Sequence, residues 1–209
     1  MTDGLRTDPA PAAAGSRPVR PLRADARRNA ERVLAGARRA VADLGLDVSY
    51  HDIARRAGVG VGTVYRRFPD RARLLEAVLL DVIDELSAHA RQALRGEDPW
   101  SEFVGFFGTL AVRIGENAGL SDSLQERGGA RVAAARDRLL RLVRELVDRA
   151  QRAGSLREDI RWQDVAALAA SIPVAGRCFL DLETTPQQVQ RCIAVLTDGL
   201  RRCPPQSLV

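Results

Sequence analysis

Apolar residues recur along this chain at intervals of three and four, a spacing that predicts helices nearly throughout. Over about 24–44 the positions Ala30, Val33, Leu34, Ala37, Val41 and Leu44 share one face, and Gly45 ends the run as a C-cap. Ser49 followed three residues later by Asp52 is a capping-box pattern for a short second helix. A third is predicted over about 60–68, and Asp70 then caps a long helix through about 94, with Leu75, Val78, Val82 and Leu86 on its inner face. Asp98 and Pro99 open a helix to about 117. Others are expected at about 120–127, 131–153, 161–181 and 186–202, the last entered by Thr185, Pro186 and Gln188 and stopped by Pro204-Pro205. No stretch alternates with the two-residue period of a strand. The expected fold is all-α, with about nine helices.

Residues 1–23 read differently. Pro9, Pro11, Pro18 and Pro21 oppose helix formation there, and we expect a disordered arm. Arg17, Arg20 and Arg23 suit a DNA minor groove, though a solvated tail without a fixed role has the same composition.

The densest information lies in residues 49–68. Two short helical patterns flank Gly58, and the second ends in Tyr65, Arg66 and Arg67. Ala54 is small where two helices would cross, Gly58 tolerates the positive φ of the turn, and Val64 packs back into the core. This is the pattern of a helix-turn-helix, whose second helix enters a major groove.

Charge supports that reading. The net charge is +5, yet residues 1–78 hold fifteen arginines against nine acidic residues, and residues 79–209 seventeen against eighteen. A basic front end suits phosphate, and a near-neutral remainder suits another task. All basic side chains are arginine, in both halves alike, so the usage reflects codon composition more than recognition.

Cys178, Cys192 and Cys203 lack zinc-ligand spacing and are expected as reduced thiols. With no apolar run of membrane-spanning length and no signal-peptide core, a cytoplasmic location without membrane contact is expected. His51 and His89 sit in no metal or triad pattern, so neither an enzyme, a metal nor a cofactor is expected.

The run Asp52-Ile53-Ala54-Arg55-Arg56-Ala57-Gly58-Val59 followed by Gly62-Thr63-Val64-Tyr65-Arg66-Arg67-Phe68-Pro69 resembles the signature of the TetR family of bacterial transcriptional regulators, over about 27–78. Residues 149–159 and Asp198-Gly199-Leu200-Arg201 look like the SbtR-like type of C-terminal domain. The resemblance implies a DNA-binding domain over 24–70 and an effector-binding and dimerisation domain over 71–209. It places the recognition helix at Gly60 to Arg67. Ser49 would cap its helix and contact DNA, as would Gly60 and Val61 at the helix start. Thr63 and Tyr65 hydroxyls and Arg71 would meet phosphates, and Arg66 or Arg67 a phosphate or a guanine edge. One departure matters: the family often has Ser and Lys where this chain has Gly60 and Val61, and a valine offers a base only apolar contact, such as to a thymine methyl.

In the neutral half Trp100, Phe103, Phe106 and Phe107 lie close together, and Trp162, Cys178 and Phe179 flank the helix expected at 161–181. These are either the lining of a pocket for an unknown small-molecule effector or an ordinary helical core. His89 and Arg113 are candidate polar hooks for such a ligand. Val165, Ala166, Ala169 and Ile172, with Val189, Ile193, Leu196 and Leu200 on the last helix, suit an intermolecular four-helix bundle, and an intramolecular core would carry the same pattern. The sequence thus points to a homodimeric, ligand-responsive repressor of a palindromic operator in double-stranded DNA. An architectural DNA-binding protein without an effector is the main alternative, and an enzyme using the C-terminal pocket a weaker one.

Overall fold

The computed structural model describes residues 20–117, 120, 129–173, 178–179 and 182–202. The described residues form eight helices: α1 (Arg20–Leu44), α2 (Tyr50–Ala57), α3 (Val61–Arg67), α4 (Arg71–Ala93), α5 (Pro99–Glu116), α6 (Ala130–Arg152), α7 (Trp162–Ala170) and α8 (Pro186–Leu200). A 3-10 turn, Gly45–Asp47, joins α1 to α2. The helix expected at 120–127 lies, apart from Leu120, outside the described residues, as does residues 1–19 of the expected arm.

Where helices begin follows the sequence rules. Ser49 accepts from the Asp52 amide and Asp52 answers on the Ser49 amide, closing a reciprocal capping box. Asp70 accepts from Arg73 N at 2.8 Å, Asp98 from the amides of Trp100 and Ser101, and Thr185 forms a second capping box with Gln188. Three expectations are corrected. Helix α1 starts at Arg20 rather than 24, because a proline at its second position, Pro21, sits where no intrahelical N–H is required. The helix expected over 161–181 stops at Ala170: Pro173 brings no N–H and disfavours helical backbone at Ile172. Beyond it Cys178–Phe179 and Leu182–Glu183 pair antiparallel, a two-residue ladder among described residues whose other regular elements are helical.

Helices α1 to α3 make one unit, in which Val33, Ala37, Ala40, Ile53, Val64 and Phe68 are buried. Burying each large side chain contributes about 1.5–3 kcal/mol. Leu44, expected on the inner face of α1, is instead 47 % exposed, since it occupies the last turn before the chain reverses at Gly45. Helix α4 leaves this unit and packs along α6, and α5 lies against α4, α6, α7 and α8. Arg149 of α6 donates to the carbonyls of Ala93 and Gly96, satisfying acceptors that the end of α4 leaves open. The segment 154–160 ties the ends of α6 and α8 together. Gly154 takes φ 71° and Ser155 N reaches Ala150 O, turning the chain so that Leu156 is fully buried. Arg157 N then donates to Leu200 O and Arg202 N to Ser155 O.

Candidate nucleic-acid interface and effector groove

The helix-turn-helix is built from backbone capping inward. Helix α2 ends at Gly58, whose φ of 62° allows its N–H to reach back to Ala54 and Arg55 while Val59 N also reaches Ala54 O. Gly60 caps α3 through its carbonyl, which accepts from Thr63 N at 2.8 Å. Val64 is fully buried and fixes which face of α3 turns outward. Tyr50 locks the far end: its hydroxyl donates to Phe68 O at 2.8 Å, and its ring meets that of Tyr65 at 4.5 Å between centroids. Burial, with Asp70 nearby, raises the Tyr50 hydroxyl above its ordinary pKa, so the phenol stays a donor.

Arginines from outside clamp the same unit. Arg32 of α1 donates to Gly58 O at 2.8 Å and Arg39 to Arg56 O at 3.1 Å, covering carbonyls at the end of α2. Arg71 of α4 donates to Val48 O at 2.8 Å. Part of the Arg71 fork, expected to serve a phosphate, is thereby committed to holding the loop before α2.

What α3 turns to solvent is now definite. Tyr65 is 53 % exposed, Arg66 and Arg67 are exposed, and Thr63 and Val61 are half-buried. Arg66 leans back along its own helix, Nε to Gly62 O at 3.3 Å and Nη2 to Thr63 Oγ1 at 3.4 Å, and Arg67 lies 5.3 Å over the Phe68 ring. A Cβ built on Gly60 or Gly62 meets nothing within 4 Å, so the start of α3 presents bare backbone. The Ser49 hydroxyl, expected to donate to DNA, donates to Asp52 Oδ2 at 2.5 Å while accepting from Asp52 N. That hydrogen bond is the main reason the Asp52 carboxyl titrates below its usual range.

The effector candidates separate into two groups. Phe103, Phe106 and Phe107 are at most 3 % exposed and form the core of the second half, Phe103 stacking on Trp100 and on Phe107. Trp100 is half-buried beneath the Arg201 guanidinium at 5.4 Å, and Trp162 is half-buried. The side chains of Cys178 and Phe179 lie outside the described residues. The two polar hooks, His89 and Arg113, do come together: both line a groove of about 500 Å³ with Val104, Gly105, Gly108, Thr109, Val112, Gln190 and Ile193. The glycines were the readable signal, since two in mid-helix three residues apart weaken α5 unless something uses the space.

Behind the groove Arg113 joins an ion-pair chain. Its Nη2 and Nε reach Glu85 Oε1 at 2.8 and 3.1 Å, and its Nη1 reaches Glu116 at 2.6 Å. Glu85 also accepts from Arg38 of α1, which meets Asp81 at 2.9 Å. Burial works against the Glu85 charge, but Arg113 and Arg38 outweigh it and hold the carboxyl below its usual range. Burial likewise opposes the Arg113 charge, and Glu116 and Glu85 outweigh it, raising its pKa.

Among the residues expected at a dimer interface, Val165, Ala169, Ile172, Val189, Ile193 and Leu200 are at most 8 % exposed within the single subunit. The apolar faces of α7 and α8 pack against α5 within the subunit. Ala166 and Leu196 remain half-exposed, and Val195, one residue along, is 70 % exposed.

The chain matches the family model of the bacterial regulatory proteins of the TetR family over residues 33–78 and that of the SbtR-like transcriptional-regulator C-terminal domain over residues 98–202. No curated protein is significantly similar to it. Among solved structures, a TetR transcription regulatory protein from Mycobacterium vanbaalenii is 37 % identical, with 87 % of this chain and 99 % of that one covered at a TM-score of 0.64. A TetR transcriptional regulator from Streptomyces coelicolor is 28 % identical over 84 % of this chain and 99 % of that one, TM-score 0.62. One from Agrobacterium tumefaciens shares the fold at 16 % identity, covering 84 % and 99 % of the two chains at a TM-score of 0.65. The helix-turn-helix, its clamps and these likenesses together identify the chain as a DNA-binding transcription regulator of the TetR family with an SbtR-like C-terminal domain.

Proposed function

We propose that the protein is a ligand-responsive repressor that binds a palindromic operator as a homodimer. The observation that carries this is the outward face of α3, where Thr63, Tyr65, Arg66 and Arg67 stand on a helix pinned by Val64 and Tyr50. Two such helices about 34 Å apart fit successive major grooves of one duplex face. Thr63, Tyr65 and the free part of the Arg71 fork suit phosphates, and Arg66 and Arg67 suit phosphate or a guanine edge. Gly60, Val61 and Gly62 bring bare or apolar backbone to the bases, and the Ser49 hydroxyl, which donates to Asp52, orients α2. Residues from α1 to α3 make the DNA-binding part, and those from α4 onward the effector and dimer part. The partner subunit sits against Ala166, Leu196 and Val195, apolar positions of α7 and α8 that the single subunit leaves partly or largely exposed. Helix α4 runs from the DNA-binding part to His89 at the groove and is the lever between them.

The test is retention of genomic DNA fragments by the purified protein at physiological salt, followed by sequencing. Fragments sharing one palindrome support the reading. Retention without a shared motif supports an architectural role and overturns it.

A further inference from the structure

Four observations converge on the groove over α5. First, its floor is helix backbone: a Cβ on Gly105 meets nothing within 4 Å, and one on Gly108 makes only ordinary contact with Ile193 at 3.7 Å. Each glycine weakens a helix interior relative to alanine. At Gly105 no contact among the described residues requires it. Second, the walls from Val104, Val112 and Ile193 are apolar, and the volume of about 500 Å³ suits a small organic molecule. Third, the charged residue lining the groove is Arg113, with His89 exposed beside it and without a hydrogen-bond partner among the described residues. Fourth, the Arg113 fork is held by Glu85, and Glu85 is shared with Arg38 of α1.

We propose that this groove takes a small organic carboxylate, its head on Arg113 and His89 and its apolar body over Gly105 and Gly108, and that the head displaces Glu85 from Arg113. The inference rests on the ligand-responsive reading above and specifies the effector's chemical class. Displacement, not simple addition, follows from the charges. Arg38, Arg113, Asp81, Glu85 and Glu116 together carry one net negative charge, so a further anion is held only by taking a carboxylate's place on the guanidinium. Glu85 keeps Arg38 after that exchange but no longer ties α4 and α1 to α5. The occupied groove thus removes one ionic tie between α5 and α4, which carries the DNA-binding part, and loosens that joint.

The experiment is calorimetric titration of the full chain, without DNA, with octanoate, octanamide and octylamine. Octanoate is expected to bind, and the neutral amide and the amine to bind at least tenfold more weakly, as loss of a charge-assisted hydrogen-bonded pair implies. Arg113→Gln should remove the preference for octanoate over octanamide. Glu85→Gln should tighten octanoate several-fold, because it removes the competing carboxylate, a result that a merely structural Glu85 would not produce. Gly105→Leu, which fills open space, should keep its fold by circular dichroism and lose all three probes. No octanoate binding, an equal response to octanamide, preference for octylamine, or an unchanged preference in Arg113→Gln overturns the proposal. Because the titration contains no DNA, failure to find a palindrome leaves it standing, and its own failure leaves the repressor reading standing.

Discussion

Gly36 of α1 and Ala57 of α2 are in backbone contact: a Cβ on Gly36 would lie 2.7 Å from the Ala57 Cβ and 2.8 Å from its amide nitrogen. This crossing brings Arg32 and Arg39 of α1 within reach of the carbonyls at the end of α2, and so sets the pose of the helix-turn-helix.

Gly36→Ala should therefore destabilise the protein despite the better helix propensity of alanine. Overpacking against backbone costs about 1–3 kcal/mol, against about 1 kcal/mol gained in propensity. Thermal unfolding should show a lower Tm. Gly62→Ala, with open space at the same test, should leave Tm level or higher, by up to about 1 kcal/mol of stability. A lower Tm for Gly62→Ala would contradict the exposed placement of that face.

Tyr50→Phe removes the hydroxyl that donates to Phe68 O and leaves the ring contact with Tyr65 intact. The expected loss is about 0.5–1.5 kcal/mol by denaturant unfolding, with an unchanged m-value. DNA binding should weaken in proportion to the loosened end of α3, without change in the preferred sequence.

Arg66→Ala and Arg67→Ala test the outward face of α3 directly. If the residue meets a phosphate, affinity falls for all sequences and the slope of log K against log salt drops by about 1 per contact. If it meets a guanine edge, binding to the best site falls by about 1–3 kcal/mol and specificity at that base relaxes. Unaltered affinity in both variants would remove these side chains from the interface.

Acid should loosen the joint between the two halves. The Glu85 carboxyl has its pKa lowered in the folded chain, so its contribution is present above the unfolded value of about 4.3 and is lost as pH falls through the folded value. Glu85→Gln should lower Tm at neutral pH, and the gap to the native protein should close as pH is taken below about 4. A gap that stays constant with pH would mean that the ionic form of Glu85 carries no stability.

The caps at Ser49, Asp70, Asp98 and Thr185, the turn at Gly58 and the buried Val64 were all legible in the sequence, because each depends on residues within one helical turn. Amphipathic periodicity also located most helices, since it needs only that one face find a partner. It could not name the partner. Val165, Ala169, Val189 and Ile193 carry a face that fits a second subunit or α5 equally well, and they pack within their own chain. Phe103, Phe106 and Phe107 share a helical face that, residue by residue, fits a core better than a pocket, and the fold buries them. The contact of Gly36 with Ala57 and the chain from Arg38 through Glu85 to Arg113 join residues 21, 47 and 28 positions apart. Local rules carry no information at such separations; the distances at which helices cross decide them, and with them which charges meet and where a groove is left open.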